Sequence, residues 1–220
     1  NIEKEKMSKS LGNILTIRDS LKNYSAEAVR LFLLSSHYRS PIDYSEESLK
    51  DAESELDRFY TTLERMERDW QDVVSARINE QRKIARIQQF INAMDDDFNT
   101  ASTIGFIFRE ISEANRLMNA AAEMGISEEL QEVLPIIRAI FKEMGSILGV
   151  FNKTSDEYFQ EKKSRSNIPA DEIEKLIAQR NEARKTKDFT KADEIRKELE
   201  EKGILLEDTS KGTIWRIKAT

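Results

Sequence analysis

The sequence predicts a mainly α chain, in which a helical bundle is preceded by a short lysine- and serine-rich segment and followed by a small α+β module. Three observations predict this fold class. Apolar residues recur every three or four positions through the middle of the chain, as in amphipathic helices. With only 7 Gly and 3 Pro, the chain has too few turn formers for a sandwich or barrel. Two short apolar runs at the end flank a Ser-Lys-Gly turn, as in a hairpin.

The first long helix is predicted to begin after Ser45. From there one apolar stripe continues at steps of three and four residues to Val73, which corresponds to a helix of about eight turns. Ser45 suits the N-cap position, and Glu46 and Glu47 suit the positive end of the helix dipole.

Three further helices follow, because each of three segments carries its own apolar stripe. The aspartates at 95–97 interrupt the pattern between the first two of them, and Ser127 is a candidate N-cap for the last. The stripes are Ile84, Ile87, Ile91, Met94 and Phe98; Ile104, Ile107, Ile111, Ala114, Met118 and Ala121; and Leu130, Val133 or Leu134, Ile137, Phe141, Met144 and Leu148. Four neighbouring stripes are expected to bury one another in a four-helix bundle over 45–151.

Beyond the bundle, the polar stretch 152–169 ends in Pro and is predicted to be a linker. Residues 170–220 then read as two helices and a hairpin. Gly203 closes the second helix in the position that favours positive φ.

Composition excludes several functions. The chain has no cysteine and one histidine, His37, so disulfides, thiol nucleophiles and Cys/His zinc sites within these residues are excluded. No apolar run is long enough to span a membrane, and the first residues lack the apolar core of a secretion signal, so we expect a cytoplasmic protein without membrane contact. The net charge is −10 over 41–151, and both ends of the chain are less acidic. This distribution is compatible with a protein that contacts a polyanion only through the two ends of its chain.

The string Lys6-Met7-Ser8-Lys9-Ser10, followed by Leu-Gly-Asn, is the strongest candidate site. Two lysines and two serines on a short loop can converge on a polyphosphate. The positive charge of the lysines would be most effective in stabilising the negative charge that develops on departing pyrophosphate. The alternative is a basic, serine-rich tail without a ligand.

This string resembles the nucleotide loop of class I aminoacyl-tRNA synthetases. The segments 37–45 and 94–100, together with the closing segments 183–193 and 206–216, resemble one family among them, the cysteinyl-tRNA synthetases. The resemblance implies four parts: the loop and stem-contact region at 1–44, a tRNA-binding bundle of the anticodon-binding type at 45–151, the linker at 152–169, and an anticodon-recognition module at 170–220.

The resemblance also implies an activity. In the family, cysteine and ATP, with Mg²⁺, form an adenylate, and the cysteinyl group then passes to tRNA(Cys). Lys6, Met7, Ser8, Lys9 and Ser10 would bind ATP, with the two lysines acting in catalysis. The family's nucleotide-binding fold and zinc site precede this loop, so we expect the present chain to be the C-terminal part of such an enzyme. We expect it to be inactive alone, without a metal site of its own, and monomeric.

For anticodon binding the resemblance points to Arg184, Phe189 and Asp193. Phe189 could stack on a base, Asp193 could accept from a guanine edge, and Arg184 could hold base or phosphate. Helix packing for Phe189 and ordinary surface charge for the other two stay open as alternatives. Trp215 is expected to pack the hairpin against the helices, with contact of Trp215 and Arg216 to the anticodon stem as the alternative, and His37 is expected to be structural.

Two other functions remain possible. One is a non-catalytic helical bundle that binds a protein or RNA. The other is the cysteine ligase of thiol biosynthesis, which shares the synthetase core, although a small sugar amine has no anticodon for the last module to read.

The loop assignment generates a prediction for the full-length enzyme. Replacing Lys9 with Ala removes a charge that stabilises departing pyrophosphate, so adenylate formation should fall by more than tRNA affinity. Pyrophosphate exchange and tRNA binding, measured in parallel, separate the two effects. A variant with normal adenylate formation would contradict the assignment.

Overall fold

The computed structural model describes residues 16–165, 168–209 and 212–217. Within these ranges the chain forms ten helices and two strands, and the predicted mainly α fold class is confirmed. The elements are α1 (Ile17–Asn23), α2 (Ala26–Leu34), α3 (Glu46–Asp69), α4 (Gln71–Val74), α5 (Glu80–Asp95), α6 (Thr100–Met124), α7 (Glu128–Leu148), α8 (Ser155–Ser164), α9 (Ala170–Lys185), α10 (Phe189–Glu201), β1 (Ile204–Thr209) and β2 (Gly212–Ile217). None of these described helices combines the length and apolar character that a membrane span requires.

Helix boundaries agree closely with the capping residues that the sequence indicates. The side chains of Ser45 and Ser127 accept hydrogen bonds from the backbone N–H groups of Ser48 and Leu130. Gly203, after α10, has a φ of +78°. The first long helix differs from its prediction in one respect: it ends at Asp69, and the short α4 follows it.

The chain divides into two compact units, which we call the first unit (Asn1–Asn152) and the second unit (Lys153–Thr220). The core of the first unit surrounds Phe59 of α3. Its ring centroid lies 5.0 Å from that of Phe141 in α7 and 4.2 Å from that of Phe151. All three rings are almost fully buried, so they join α3 to α7 and to the segment that follows α7.

Helix α5 does not bury the stripe predicted for it. Ile84 and Phe98 are more than half exposed, and Phe90 and Ala93 are buried instead. The cause is the charged residues on the inner side of the helix. Lys83 pairs with Glu143 of α7 and Arg86 pairs with Glu110 of α6, so both charged side chains lie on the face that α5 presents to these helices.

The segment predicted as a linker contains helix α8, which belongs to the second unit. Thr154 and Glu157 form a capping box at its start, a local signal that the sequence analysis overlooked. The division of the chain into functional domains stays a prediction.

The second unit packs α9 and α10 against an antiparallel hairpin of β1 and β2. Its core consists of Ile173, Ile177, Ile195, Leu199, Ile204, Leu206 and Trp215. In the hairpin, Leu206 lies opposite Trp215, and Asp208 lies opposite Thr213. One face of the hairpin therefore supplies the core, and the end next to its turn presents polar groups beside α9.

Two helical glycines of the first unit should respond to alanine in opposite directions. A Cβ at Gly145 would lie 2.7 Å from the carbonyl oxygen of Val150, whereas one at Gly105 would be 3.9 Å from the nearest atom, in the guanidinium of Arg109. Helix propensity favours Ala over Gly by about 1 kcal/mol, but the clash at Gly145 is with backbone and outweighs it.

We expect Gly145→Ala to lower the free energy of unfolding by about 1–3 kcal/mol. Gly105→Ala, the matched control, should raise it by about 0.5–1 kcal/mol. Urea unfolding followed by circular dichroism measures both values. Equal effects in the two variants would show that the turn after α7 can move away.

Candidate nucleic-acid interface

The proposed ATP-binding residues Lys6, Met7, Ser8, Lys9 and Ser10 lie outside the described residues, so their assignment stays a prediction. The other predicted set, Arg184, Phe189 and Asp193, lies entirely within the second unit, at the corner between α9 and α10.

This corner is formed by a three-residue turn. Lys187 adopts a φ of +61°, and the backbone N–H of Asp188 donates to the carbonyl oxygen of Ala183 over 2.8 Å. The side chain of Asp188 then caps α10 by accepting from the N–H of Lys191. Arg184 therefore lies in the last turn of α9, and Phe189 is the first residue of α10.

The side chain of Phe189 is 60% exposed. The structure thus does not place it in the core of the second unit, where a helix-packing residue would lie. Asp193, four residues later and also exposed, shares its face of α10. An exposed ring beside a carboxylate offers both a stacking surface and an acceptor for a base.

Arg184 is held by a carboxylate that the sequence analysis did not select. Its Nη1 donates to Oδ2 of Asp208 in β1 over 2.7 Å. Arg180, one turn earlier on α9, donates to both oxygens of the same carboxylate over 2.9 and 2.8 Å. The hydroxyl of Thr213 in β2 lies 2.8 Å from Oδ1.

The four residues Arg180, Arg184, Asp208 and Thr213, which we call the Asp208 cluster, join α9 to both strands. Arg180 is 4% exposed, so its charge is buried and paired. The Arg180 guanidinium, with Thr213 and Arg184, holds the pKa of Asp208 well below its usual range, against the opposing effect of burial. Asp208 is consequently an anion at neutral pH.

The sequence contained one usable signal for this cluster. Arg180 and Arg184 are four residues apart and therefore lie on the same face of α9, which indicates a shared anion. Which anion they share depends on the docking of the hairpin, and no local pattern shows that.

Trp215 has the packing role predicted for it. The indole is 4% exposed, its Nε1 donates to Glu174 of α9 over 2.8 Å, and the Lys163 ammonium lies 4.7 Å from the ring centroid. Arg216 stacks over Phe159 of α8, with 4.2 Å between its Cζ and the ring centroid.

In the first unit, the structure brings together two motifs that are far apart in the sequence. Asp97, which has a φ of +53°, accepts a 2.7 Å hydrogen bond from the hydroxyl of Tyr38 and pairs with Arg39 at 3.0 Å. His37 stacks on Tyr38 and has its Nε2 3.9 Å from the Asp97 carboxylate.

The aspartates at 95–97 end α5, as predicted. No metal-competent group of three or more acidic or His side chains occurs in the described ranges.

Comparison with known proteins agrees with this arrangement. Three family profiles match in order along the chain: "tRNA synthetases class I (C) catalytic domain" at residues 1–54, "DALR domain" at 89–152, and "Cysteinyl-tRNA ligase anticodon binding domain" at 169–216. In this order the three profiles are those of class I aminoacyl-tRNA synthetases, to parts of which the chain is therefore similar.

Individual relatives narrow the class to one family. The chain is 45% identical to the cysteine–tRNA ligase of Thermodesulfovibrio yellowstonii and 41% identical to that of Geobacter metallireducens. Each alignment covers 99% of the chain and 46% of the relative. The chain belongs to the cysteine–tRNA ligase family, and it spans about half the length of these curated relatives.

The low pKa of Asp208 generates a pH prediction. A carboxyl group whose pKa is lower in the folded than in the unfolded state stabilises the fold above the unfolded value, which is about 3.9, and this stabilisation is lost as the pH falls below it. We expect the stability of the second unit to fall in acid for this reason. Asp208→Asn should be less stable at pH 7 and lose less stability on acidification.

The measurement is urea unfolding at several pH values, followed by Trp215 fluorescence in a Trp70→Phe background, because the chain has two tryptophans. Glu194→Gln is the matched control, since Glu194 is an exposed acidic residue of α10. An Asp208→Asn variant with the wild-type pH dependence would exclude the carboxyl group as its source.

Proposed function

We propose that the chain supplies the ATP loop and the tRNA-reading region of an enzyme that joins cysteine to tRNA(Cys). The observation that carries this proposal is the corner of the second unit, where an exposed aromatic ring, an arginine and a carboxylate lie within ten residues on a folded support. The whole-chain identity to cysteine–tRNA ligases supports the same function.

At this corner, each group has a separate role towards the anticodon. Anticodon bases are single-stranded and can be turned outward, so an exposed ring can stack on one of them. We assign this role to Phe189. Asp193 accepts a hydrogen bond from the edge of a guanine, and Arg184 donates to a base or a phosphate.

The charge of residues 170–220 favours base contacts over a broad grip on the phosphate backbone. This segment carries twelve basic and twelve acidic residues. Because each neutralised phosphate steepens the salt dependence of binding, we expect a shallow dependence for this module. A steep one would indicate many phosphate contacts and count against the assignment.

The remaining part of the proposal concerns activation of the amino acid. Lys6 and Lys9, with Met7, Ser8 and Ser10, bind ATP and stabilise departing pyrophosphate with Mg²⁺. Cysteine and its zinc are bound by the part of the family's enzyme that precedes this loop. We propose that the enzyme is a monomer and works in the cytoplasm.

Replacing Phe189 with Ala tests the stacking role. Loss of one base stack weakens binding by about 1–3 kcal/mol, so affinity for an anticodon stem-loop of tRNA(Cys) should fall roughly 5- to 150-fold. Phe189→Trp should retain most of it, since indole also stacks. Because Phe189 is exposed, neither change disturbs the core.

Phe98→Ala is the matched control, because Phe98 is the same residue type, is 64% exposed, and lies in the first unit. It should leave binding of the isolated stem-loop unchanged. Fluorescence anisotropy with labelled RNA measures all four proteins. Equal affinity of Phe189→Ala and wild type would remove Phe189 from the site.

A further inference from the structure

Among the described residues, the buried Arg180 donates hydrogen bonds to Asp208 and Thr213 at the turn end of the hairpin. The carboxylates of Asp208 and, more weakly, Asp193 raise its pKa. Arg180 lies on the inner face of α9 and is 4% exposed, whereas Arg184 on the same helix is exposed. Both guanidinium groups meet at one carboxylate, with Arg180 in the bidentate position. The exposed arginine is therefore positioned through the buried one.

From this geometry we infer that Arg180 is a positioning residue for anticodon discrimination: it fixes the Asp208 carboxylate, which in turn holds Arg184 in the orientation that reads RNA. This inference rests on the proposed role of Arg184. It adds a residue that never touches RNA, because its side chain is enclosed by the second unit.

The geometry of the contacts explains why an arginine is required. A guanidinium donates two parallel N–H groups to a carboxylate, which fixes both the distance and the plane of the acid. Thr213 contributes a third contact at Oδ1, from the opposite strand. The carboxylate thus cannot rotate without breaking contacts to α9 or β2, and Oδ2 stays directed at Arg184.

Fixing Arg184 in advance favours discrimination in two ways. A flexible arginine can adapt to any acceptor, and ordering it on binding costs entropy, whereas one held in place presents its donors in a single direction. The negative charge of Asp208 also offsets part of the positive charge of the two arginines, which reduces the attraction of Arg184 to phosphates in general. Both effects increase the contribution of base contacts to binding relative to that of phosphate contacts.

The Arg180→Lys variant distinguishes the positioning role of Arg180 from the effect of its positive charge alone. Lysine keeps the positive charge but replaces a planar fork with a single ammonium, so the carboxylate can rotate. The discrimination ratio is the Kd for a stem-loop with one altered anticodon base, divided by the Kd for the tRNA(Cys) stem-loop. We expect this ratio to fall roughly tenfold, the effect of about 1.4 kcal/mol, while the salt dependence of binding stays unchanged.

The control and the coupling test use the same 220-residue chain. Arg196→Lys changes an exposed arginine of α10 in the same way and should leave the ratio unchanged. In an Arg184→Ala background, adding Arg180→Lys should lower the ratio no further, because Arg180 acts only through Arg184. A structural defect would instead lower it in both backgrounds.

Circular dichroism at the binding temperature establishes that each variant is folded. If Arg180→Lys is not folded, Thr213→Val tests the inference in its place. This variant removes the hydrogen bond between β2 and the same carboxylate. We expect it to lower the discrimination ratio by less than Arg180→Lys would. An unchanged ratio in a folded variant, or additive losses in the Arg184→Ala background, would overturn the inference and leave the proposed function standing. A wild-type ratio near one would overturn both.

Discussion

Buried charge is the constraint on which the packing of this chain depends. Charged residues make up 35% of the sequence, and several of them lie inside the units. A buried charge without a partner costs several kcal/mol, so each must find one across an interface between elements. Glu27 of α2 accepts from the hydroxyl of Tyr60 and the N–H of Phe151, and Arg180 of α9 donates to Asp208 of β1. Each of these pairs selects one way of docking its elements.

A second set of polar contacts, between exposed side chains, joins the segment after α2 to the bundle. Asp97 has a left-handed backbone at the corner between α5 and α6, and its carboxylate satisfies Tyr38 and Arg39. Left-handed residues that are not glycine cost about a kcal/mol or more and persist where surrounding contacts determine them. Phe98 beside it is also left-handed. The contacts of Asp97 with Tyr38 and Arg39 stabilise this backbone conformation. They also connect segments 37–45 and 94–100, the two motifs of this part of the chain that resemble the family.

The second unit has no excess of positive charge over residues 170–220, and polar contacts orient the arginine at its corner. The module is neutral overall, and the arginine at its corner is already paired with Asp208. Such a surface has little general attraction for nucleic acid, so the proposed anticodon binding would depend on stacking and on directed donors and acceptors. The hairpin and the two helices can hold those groups because the unit buries its own apolar core.

The sequence by itself determined the local elements of this chain. Four long helices, the caps of two of them at Ser45 and Ser127, the break at the aspartates, the left-handed Gly203 and the terminal hairpin all follow from patterns within a few residues. It also indicated the corner at 184–193, through a resemblance carried by short motifs. These features were predictable because propensity, capping and periodicity are local.

Only the tertiary structure decided which partners the charged residues have. The buried face of α5 was predicted wrongly because two of its lysine and arginine side chains point inward to acids on other helices. Tyr38 and Asp97 are 59 residues apart, and Arg180 and Asp208 are 28 apart. Each pairing depends on how whole elements pack, and many alternative partners have the same charge, so residue type alone cannot distinguish the one that is formed.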